Sequence, residues 1–310
     1  MTRPIPCAVA RPSRLRPSGP SGPVGRQRWR DYLELTKPRL SSLVLMTTGV
    51  GFWLGLRAAQ DVWRLAPALL GATLVVGGAN ALNQWSERSL DALMDRTKHR
   101  PLPSGRLAPE AACRFGSVLS FAGIAGLTVL ANPLAGGLAA VGWASYVLVY
   151  TPLKRRTPLC TLVGAIPGAI PPMIGWAAAR HALGLEAWML FAILFLWQLP
   201  HFLALAALYR EDYARAGFRM LPMLEPRGMA AARQTACYGL ALLPVSLLPT
   251  VCGMAGSWYF CGAAVLGLGW LLLALRAAWL RSPASSRQLF QGSVVYLPML
   301  LILLALNRAP

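Results

Sequence analysis

Long apolar runs recur from residue 40 to the end of this 310-residue chain. Each run is long enough to cross a hydrocarbon core of about 30 Å as an α-helix. A closed β-barrel would also satisfy its backbone inside a bilayer, but the alternation of period two that it requires is absent. We therefore predict an all-α polytopic membrane protein in contact with the lipid bilayer, with nine transmembrane helices. The predicted segments are 40–58, 65–84, 111–131, 134–151, 160–178, 187–207, 235–253, 258–279 and 289–307.

The distribution of basic residues predicts the orientation. The chain has 30 Lys and Arg against 11 Asp and Glu. With nine segments, all but four of the basic residues lie on the side of the N-terminus; the exceptions are Arg57, Arg64, Arg180 and Arg308. The positive-inside rule then places the N-terminus in the cytoplasm and the C-terminus outside. Topology and anionic lipid headgroups account for the net charge of +19, so no nucleic acid partner is expected.

The N-terminal segment 1–30 contains seven Arg, six Pro and no acidic residue. This composition predicts a disordered basic tail, followed by one transmembrane domain over 31–310. We expect a bacterial plasma (inner) membrane. An Arg-rich, acid-free start is also typical of mitochondrial transit peptides, so the mitochondrial inner membrane is the alternative.

A polar stripe directly follows the second apolar segment. In NQWSERSLDALMD (83–95), Asn83, Glu87, Asp91 and Asp95 recur at every fourth position, which places them within about 120° of one helix face. Carboxylates facing lipid are unfavourable, so this face should point into the bundle or into a water-filled cavity. Oxygen ligands at this spacing suit Mg²⁺. A solvated helix end is the ordinary alternative, but the regular spacing and the scarcity of acids elsewhere favour a site.

Basic residues follow this stripe at once. Arg96, Lys98 and Arg100 carry groups that bind phosphate oxygens, so the segment predicts a metal–diphosphate site. A prenyl diphosphate suits a membrane cavity because its tail is apolar and its head needs cations. Metal and basic groups would neutralise the charge on the departing pyrophosphate, and apolar walls would exclude water.

Four motifs in order resemble the UbiA-type intramembrane prenyltransferases. The first is Asn83, Glu87 and Asp91 followed by RTKHRPL (96–102). The others are YTPLKR (150–155) with GAIPGA (164–169), WQLPHF (197–202), and YREDY (209–213). They are most similar to the branch of this family that farnesylates haem. The resemblance covers residues 30–307.

The resemblance implies a nine-helix bundle with a central cavity. It implies transfer of farnesyl from farnesyl diphosphate to a vinyl group of haem b, with water added, giving haem O and pyrophosphate for terminal respiratory oxidases. Mg²⁺ is the implied cofactor, and haem A synthase or oxidase assembly are implied partners. The implied catalytic and metal residues are Asn83, Glu87, Asp91 and Asp212. The implied substrate-binding residues are Arg96, Lys98, Arg100, Tyr150, Lys154, Arg155, Trp197, His201 and Arg210.

Two points stay open on the sequence alone. Leu208 stands where the second acidic motif of the family usually has another Asp, so the number of metal ions is undetermined.

A UbiA-type enzyme for a quinone precursor or a chlorophyll-type acceptor is the alternative activity. A transporter with an intramembrane ion site is a further alternative, although its site would be expected near the midplane rather than at one membrane edge. Asp95 lies a turn beyond Asp91 and is left outside the metal set.

Overall fold

The computed structural model describes residues 24–225 and 227–309. Over these ranges the chain is almost entirely helical and contains no strand, apart from one isolated bridge between Ala255 and Arg308. The helices, in chain order, are α1 (Val24–Leu35), α2 (Pro38–Gly55), α3 (Leu65–Asp91), α4 (Pro109–Ala131), α5 (Pro133–Leu153), α6 (Cys160–Arg180), α7 (Leu185–Leu208), α8 (Arg210–Arg215), α9 (Leu221–Leu224), α10 (Met229–Val251), α11 (Ser257–Leu280) and α12 (Pro283–Leu306).

The all-α polytopic fold is confirmed. Eight helices among the described residues are long and apolar enough to cross a membrane, and they correspond to the second to ninth predicted segments. The first predicted segment, 40–58, is α2, which has 18 residues and a length of about 27 Å. This helix is not among the eight because Pro38 and Arg39, at its start, lower its mean hydropathy. The count of nine and the orientation of the termini stay predictions.

Helical structure begins earlier than the sequence indicated. Helix α1 starts at Val24, so the end of the segment expected to be a disordered tail is helical; residues 1–23 lie outside the described residues. The helix is held by contacts with residues far away in the sequence, which the sequence alone did not reveal. Arg106 pairs with the buried Asp31 and, at 2.9 Å, with Glu34. The side chain of Gln84 donates to the carbonyl of Leu35 at 2.8 Å.

Small residues let the central helices approach closely. A methyl group added to Gly78 on α3 would lie 2.6 Å from the carbonyl oxygen of Gly116 on α4. One added to Gly175 on α6 would lie 1.9 Å from the carbonyl oxygen of Thr48 on α2. Any side chain at these positions would separate the helices, which is the reason membrane helix contacts favour glycine.

A capped turn returns α5 to the end of the bundle where α3 ends. The side chain of Asn132 accepts from the backbone N–H of Ala135 at 2.9 Å and donates to the carbonyl of Ala177 at 2.7 Å. Pro133 then begins α5. This turn confirms the break predicted between the third and fourth apolar segments. The end of α5 therefore meets the end of α3, where Lys154 contacts Glu87. Asp212, just after α7, contacts the loop after α3, so the C-terminal ends of all three helices lie at the end predicted to be cytoplasmic.

Candidate active site

The polar stripe is buried at the C-terminal end of α3. Asn83, Glu87 and Asp91 are only 2%, 6% and 1% exposed, which confirms that their face points into the protein. The expectation that Asp95 shares this helix face is wrong, because α3 ends at Asp91. The hydroxyl of Thr97 donates to the carbonyl of Asp91 at 2.8 Å, and the chain turns away there.

Each buried carboxylate is paired with a cation from another part of the sequence. The Nζ of Lys154, at the end of α5, lies 2.8 and 3.0 Å from the two oxygens of Glu87. The Nη1 of Arg100 lies 2.8 Å from Oδ2 of Asp91. Both cations were predicted to contact phosphate. In this structure their positive charges compensate the two carboxylates, which would otherwise be costly to bury.

Asn83 is oriented by a residue that the sequence did not single out. Its amide nitrogen donates to the hydroxyl of Thr151 at 3.0 Å, and that hydroxyl donates to the carbonyl of Tyr146 at 2.9 Å. The amide oxygen of Asn83 makes no hydrogen bond within the described part of the chain. It therefore remains available as an oxygen ligand beside the carboxylates of α3.

Lys37 is a second residue that sequence reasoning missed. It caps the N-terminus of α2 in the left-handed conformation, with φ of 49°. Burial, together with the positive charges of Arg100 and Lys154, lowers the pKa of Lys37 to about 7, against the opposing effect of Glu87 and Asp91. These neighbours place the ammonium group at the same site. The available signal was a Lys directly before the Pro that begins α2, two residues ahead of the first apolar segment.

Asp212 anchors the loop after α3. It is 8% exposed and accepts the backbone N–H groups of Asp95 and Arg96, both at 3.3 Å, and a contact from Arg215. Burial raises the pKa of Asp212, but these donors outweigh it and hold the pKa below its usual value. Asp95 is exposed and pairs with Lys98 at 2.7 Å and Arg215 at 2.5 Å, and hydrogen bonds from both lower its pKa to about 2.

The other predicted cations lie farther out. The guanidinium of Arg96 lies 4.9 Å from the ring centroid of Tyr209. Arg155 and Arg210 are exposed, and neither makes a side-chain hydrogen bond or ion pair with the described residues. Arg210 borders a separate pocket together with Arg227 and Arg281. A role for Arg155 and Arg210 in phosphate binding stays a prediction.

The four residues predicted to bind metal do not form a single cluster. Among the described residues, no group of three His, Cys, Asp or Glu side chains could hold a metal ion together. Glu87 and Asp91 are occupied by cations, and Asp212 is occupied by the loop backbone. The donors on α3 nevertheless fit Mg²⁺, since two carboxylates and one free amide oxygen match a hard cation that fills its remaining positions with phosphate and water.

An apolar cavity of about 280 Å³ adjoins the charged residues. On α3, Asn80 lines it about 10 Å from Glu87, as seven residues of helix require. The ring of Tyr150 also lines it, and the Nζ of Lys154 lies 4.6 Å from the centroid of that ring. Tyr150 therefore lies between the charged residues at the end of α3 and α5 and the apolar chamber. The polar lining residues within the chamber include Thr47, Asn80, Tyr146, Tyr150, Gln198 and His201.

His201 lies at the wall of this cavity; its role in substrate binding stays a prediction. Its ring lies between Trp197 and Phe290, with centroid distances of 5.1 and 4.9 Å. Its Nδ1 lies 2.6 Å from the hydroxyl of Ser293, and Trp197 Nε1 donates to the carbonyl of Ser293 at 3.0 Å. Ser293 was not identified from the sequence, because it lies on α12 and no motif connects the two helices.

Comparison with known proteins gives consistent matches. The model of the UbiA prenyltransferase family matches residues 44–303. A protein from Solibacter usitatus named protoheme IX farnesyltransferase is 49% identical over 288 residues, covering 90% of this chain and 99% of that protein.

Two solved structures share the fold at low sequence identity. The structure of a digeranylgeranylglyceryl phosphate synthase has a TM-score of 0.77 and 16% identity, covering 91% of this chain and 98% of that one. A UbiA homolog from Archaeoglobus fulgidus bound to GPP and Mg²⁺ has a TM-score of 0.63 and 16% identity, with coverages of 88% and 99%.

Proposed function

This chain belongs to the UbiA prenyltransferase family, and on that premise we propose that it transfers the farnesyl group of farnesyl diphosphate to a vinyl group of haem b. Water is added in the reaction, and the products are haem O and pyrophosphate. Family membership makes the chain a prenyltransferase. The observation that supports haem as acceptor is the 49% identity, over nearly the whole of both chains, with a protein named protoheme IX farnesyltransferase.

The diphosphate group binds at the charged end of the cavity. Lys154 and Arg100 donate to Glu87 and Asp91 in this structure. A diphosphate offers these cations new oxygen partners, and Lys37 supplies a third positive group beside them. The exchange frees the carboxylates of α3 at the moment when the substrate arrives. Arg96 and Lys98 lie on the adjoining loop and attract the anion from the aqueous side.

Mg²⁺ is the metal that the freed donors suit best. Asn83, Glu87 and Asp91 would hold it, because they supply oxygen atoms from one buried face of α3. When bound, Mg²⁺ would neutralise part of the negative charge that develops on the leaving diphosphate. We give Asp212 a positioning role, since its carboxylate fixes the backbone of the loop that carries Arg96 and Arg100.

The apolar chamber keeps the farnesyl chain and the acceptor together. Departure of pyrophosphate breaks the C1–O bond of farnesyl diphosphate and takes its electron pair. The π electrons of the vinyl group form the new bond to C1, and water adds to the resulting cation with release of a proton. Apolar walls around Tyr150 exclude bulk water from the allylic carbon until this carbon–carbon bond forms.

The membrane and the downstream partners follow from the same proposal. Eight described helices are suited to crossing a membrane, so the chain is a multi-pass membrane protein. We place it in a bacterial plasma membrane, as its close relatives are bacterial. Haem O would pass to haem A synthase or to a terminal oxidase under assembly.

A pigment extract tests this function. Cells that lack their own haem-farnesylating enzyme are grown with and without the full chain, and extracted haems are separated and identified by mass. We expect haem O only where the chain is expressed. Expression of the inserted protein without haem O, together with prenylation of a quinone precursor, would show that the acceptor is wrong and the family reaction right.

A further inference from the structure

The imidazole of His201 is surrounded by three aromatic rings and one hydroxyl group. The ring centroids of Trp197, Phe290 and Phe202 lie 5.1, 4.9 and 5.6 Å from that of His201, and the hydroxyl of Ser293 lies 2.6 Å from Nδ1. Nε2 makes no hydrogen bond within the described part of the chain, although His201 borders the cavity. These contacts fix the plane of the ring at the wall of the chamber and leave Nε2 without a partner among the described residues.

The hydrogen bonds of Ser293 determine which nitrogen carries the proton. Its hydroxyl donates to the carbonyl of Phe290, one turn earlier on α12. A hydroxyl has a single proton to donate, so toward His201 the same oxygen acts as acceptor. Nδ1 of His201 must then be the N–H donor, and the lone pair of the neutral ring resides on Nε2.

This arrangement is the one that prepares a histidine to bind iron. Metal-binding imidazoles generally donate their other ring N–H to a fixed acceptor, which sets the tautomer and the ring orientation. Haem iron commonly takes an imidazole ligand. The backbone of Ser293 is itself fixed, because its carbonyl accepts from Trp197 at 3.0 Å. The position of the acceptor hydroxyl is thus determined by packing between α7 and α12.

We propose that Nε2 of His201 is the axial ligand of the iron of substrate haem b, and that Ser293 is the positioning residue that fixes the tautomer of His201. This inference rests on the proposed function, since it takes haem b as the acceptor. Ligation fixes the iron, so that the macrocycle can only turn about the Fe–N bond. The reacting vinyl group is thereby kept at a fixed radius from His201 within the apolar chamber.

The test uses the purified full chain in detergent with ferrous haem b. We expect an iron–histidine stretching band in the resonance Raman spectrum, shifted when the protein carries ¹⁵N-labelled histidine. His201→Gly should lose the band, and added imidazole should restore it by entering the space left by the ring. Persistence of the band in His201→Gly without imidazole, or its absence from the wild-type complex, would overturn the proposal.

Ser293 has a well-matched control. Ser246 on α10 is equally buried, at 0% exposure, and its hydroxyl also donates to a carbonyl one turn earlier, that of Leu243. We expect Ser293→Ala to weaken haem b binding by about 10- to 100-fold, Ser293→Thr to retain it, and Ser246→Ala to leave it unchanged. Equal losses in Ser293→Ala and Ser246→Ala would indicate general loosening and would contradict a positioning role.

Ligation of haem iron by His201 and farnesylation of haem are tested by separate measurements. Haem O formation is measured by mass on the same wild-type preparation with farnesyl diphosphate and Mg²⁺. Haem O produced without an iron–histidine band would overturn ligation alone. A histidine band without haem O would support ligation and contradict the reaction. A chain that binds no haem b would overturn both.

Discussion

Lys154 and Glu87 form a two-point contact, with Nζ of Lys154 2.8 and 3.0 Å from the carboxylate oxygens, and their side chains are only 10% and 7% exposed. The pair joins the end of α5 to α3, 67 residues earlier in the chain. Burial raises the free energy of an unpaired charge, so each side chain compensates the other until a substrate arrives. The same two groups then bind the metal and the diphosphate in our account.

A double-mutant cycle on this pair separates stability from catalysis. Glu87→Gln or Lys154→Met alone leaves one buried charge unpaired and should cost about 3–5 kcal/mol of stability. The double variant should cost less than the sum of the two, since no charge is left alone. Unfolding of the purified variants in detergent measures this. All three should fail to turn over farnesyl diphosphate, whereas strict additivity of the stability losses would contradict a direct pair.

Asp91 and Asp95 provide a comparison of two acids four residues apart, one at the end of α3 and one in the loop after it. Asp91 is buried against Arg100, and Asp95 is exposed at the loop. Asp91→Asn should reduce kcat by about a hundredfold or more, because a group that stabilises leaving charge is lost. Asp95→Asn should change kcat by less than about fivefold, as expected of an exposed ion pair. Similar losses in both variants would indicate that burial on α3 does not define the site.

We expect substrate binding to depend on pH through the ammonium group of Lys37. Its pKa of about 7 in the free protein means that the ammonium is charged below that pH and neutral above it. Binding of an anion favours the protonated form, so affinity for farnesyl diphosphate should be level below pH 7. Above it, affinity should fall by up to about tenfold per pH unit.

Lys37→Arg is the matched control for this titration, because a guanidinium stays protonated throughout. Its dissociation constant for farnesyl diphosphate, measured by calorimetry over the same range, should show no fall above neutral pH. Parallel profiles for the wild type and Lys37→Arg would rule out Lys37 as the titrating group.

The position of Tyr150 depends on a glycine. A methyl group at Gly164 would lie 2.6 Å from the ring of Tyr150, whereas one at Gly142, which also lines the cavity, would lie 3.5 Å from Ile170. Gly164→Ala should therefore displace Tyr150 at a cost of about 1–3 kcal/mol and lower kcat/KM about tenfold. Gly142→Ala should be close to wild type in the same steady-state assay; an equal loss there would contradict a specific effect on Tyr150.

The role of Asp212 can be observed without measuring activity. Its carboxylate accepts the N–H groups of Asp95 and Arg96. Asp212→Asn removes the charge from these hydrogen bonds, so the two amides should exchange with solvent about tenfold faster. Hydrogen–deuterium exchange with mass spectrometry reports this on the peptide that covers the loop. Unchanged exchange would show that the loop is held by other contacts.

The features predicted correctly from the sequence are those that depend on local periodicity. Apolar length identified the helices, and four-residue steps placed Asn83, Glu87 and Asp91 on one buried face. The same step failed at Asp95, because the end of α3 is set by Thr97 and by packing of Met94 against Tyr213 and its neighbours. A spacing rule holds only as far as the helix continues, and tertiary contacts decide where it ends.

Residues that reach the site from distant elements were not predictable in this way. Lys37 arrives through the left-handed turn between α1 and α2, and Ser293 arrives through packing of α12 on α7. Nothing in the sequence marks Thr151 as a site residue apart from the basic residues that follow it. Lys154 was predicted to contact phosphate, but its pairing with Glu87 depends on how α5 lies against α3.

The most direct measurement is stoichiometric turnover by the purified chain in liposomes with haem b, farnesyl diphosphate and Mg²⁺ in water enriched in ¹⁸O. We expect haem O that carries one farnesyl group and one ¹⁸O atom in its new hydroxyl group, with one pyrophosphate released for each haem consumed. Both should disappear when Asp91 is replaced by Asn. Pyrophosphate release that is independent of haem b, with haem b recovered unchanged by mass, would contradict the proposed function.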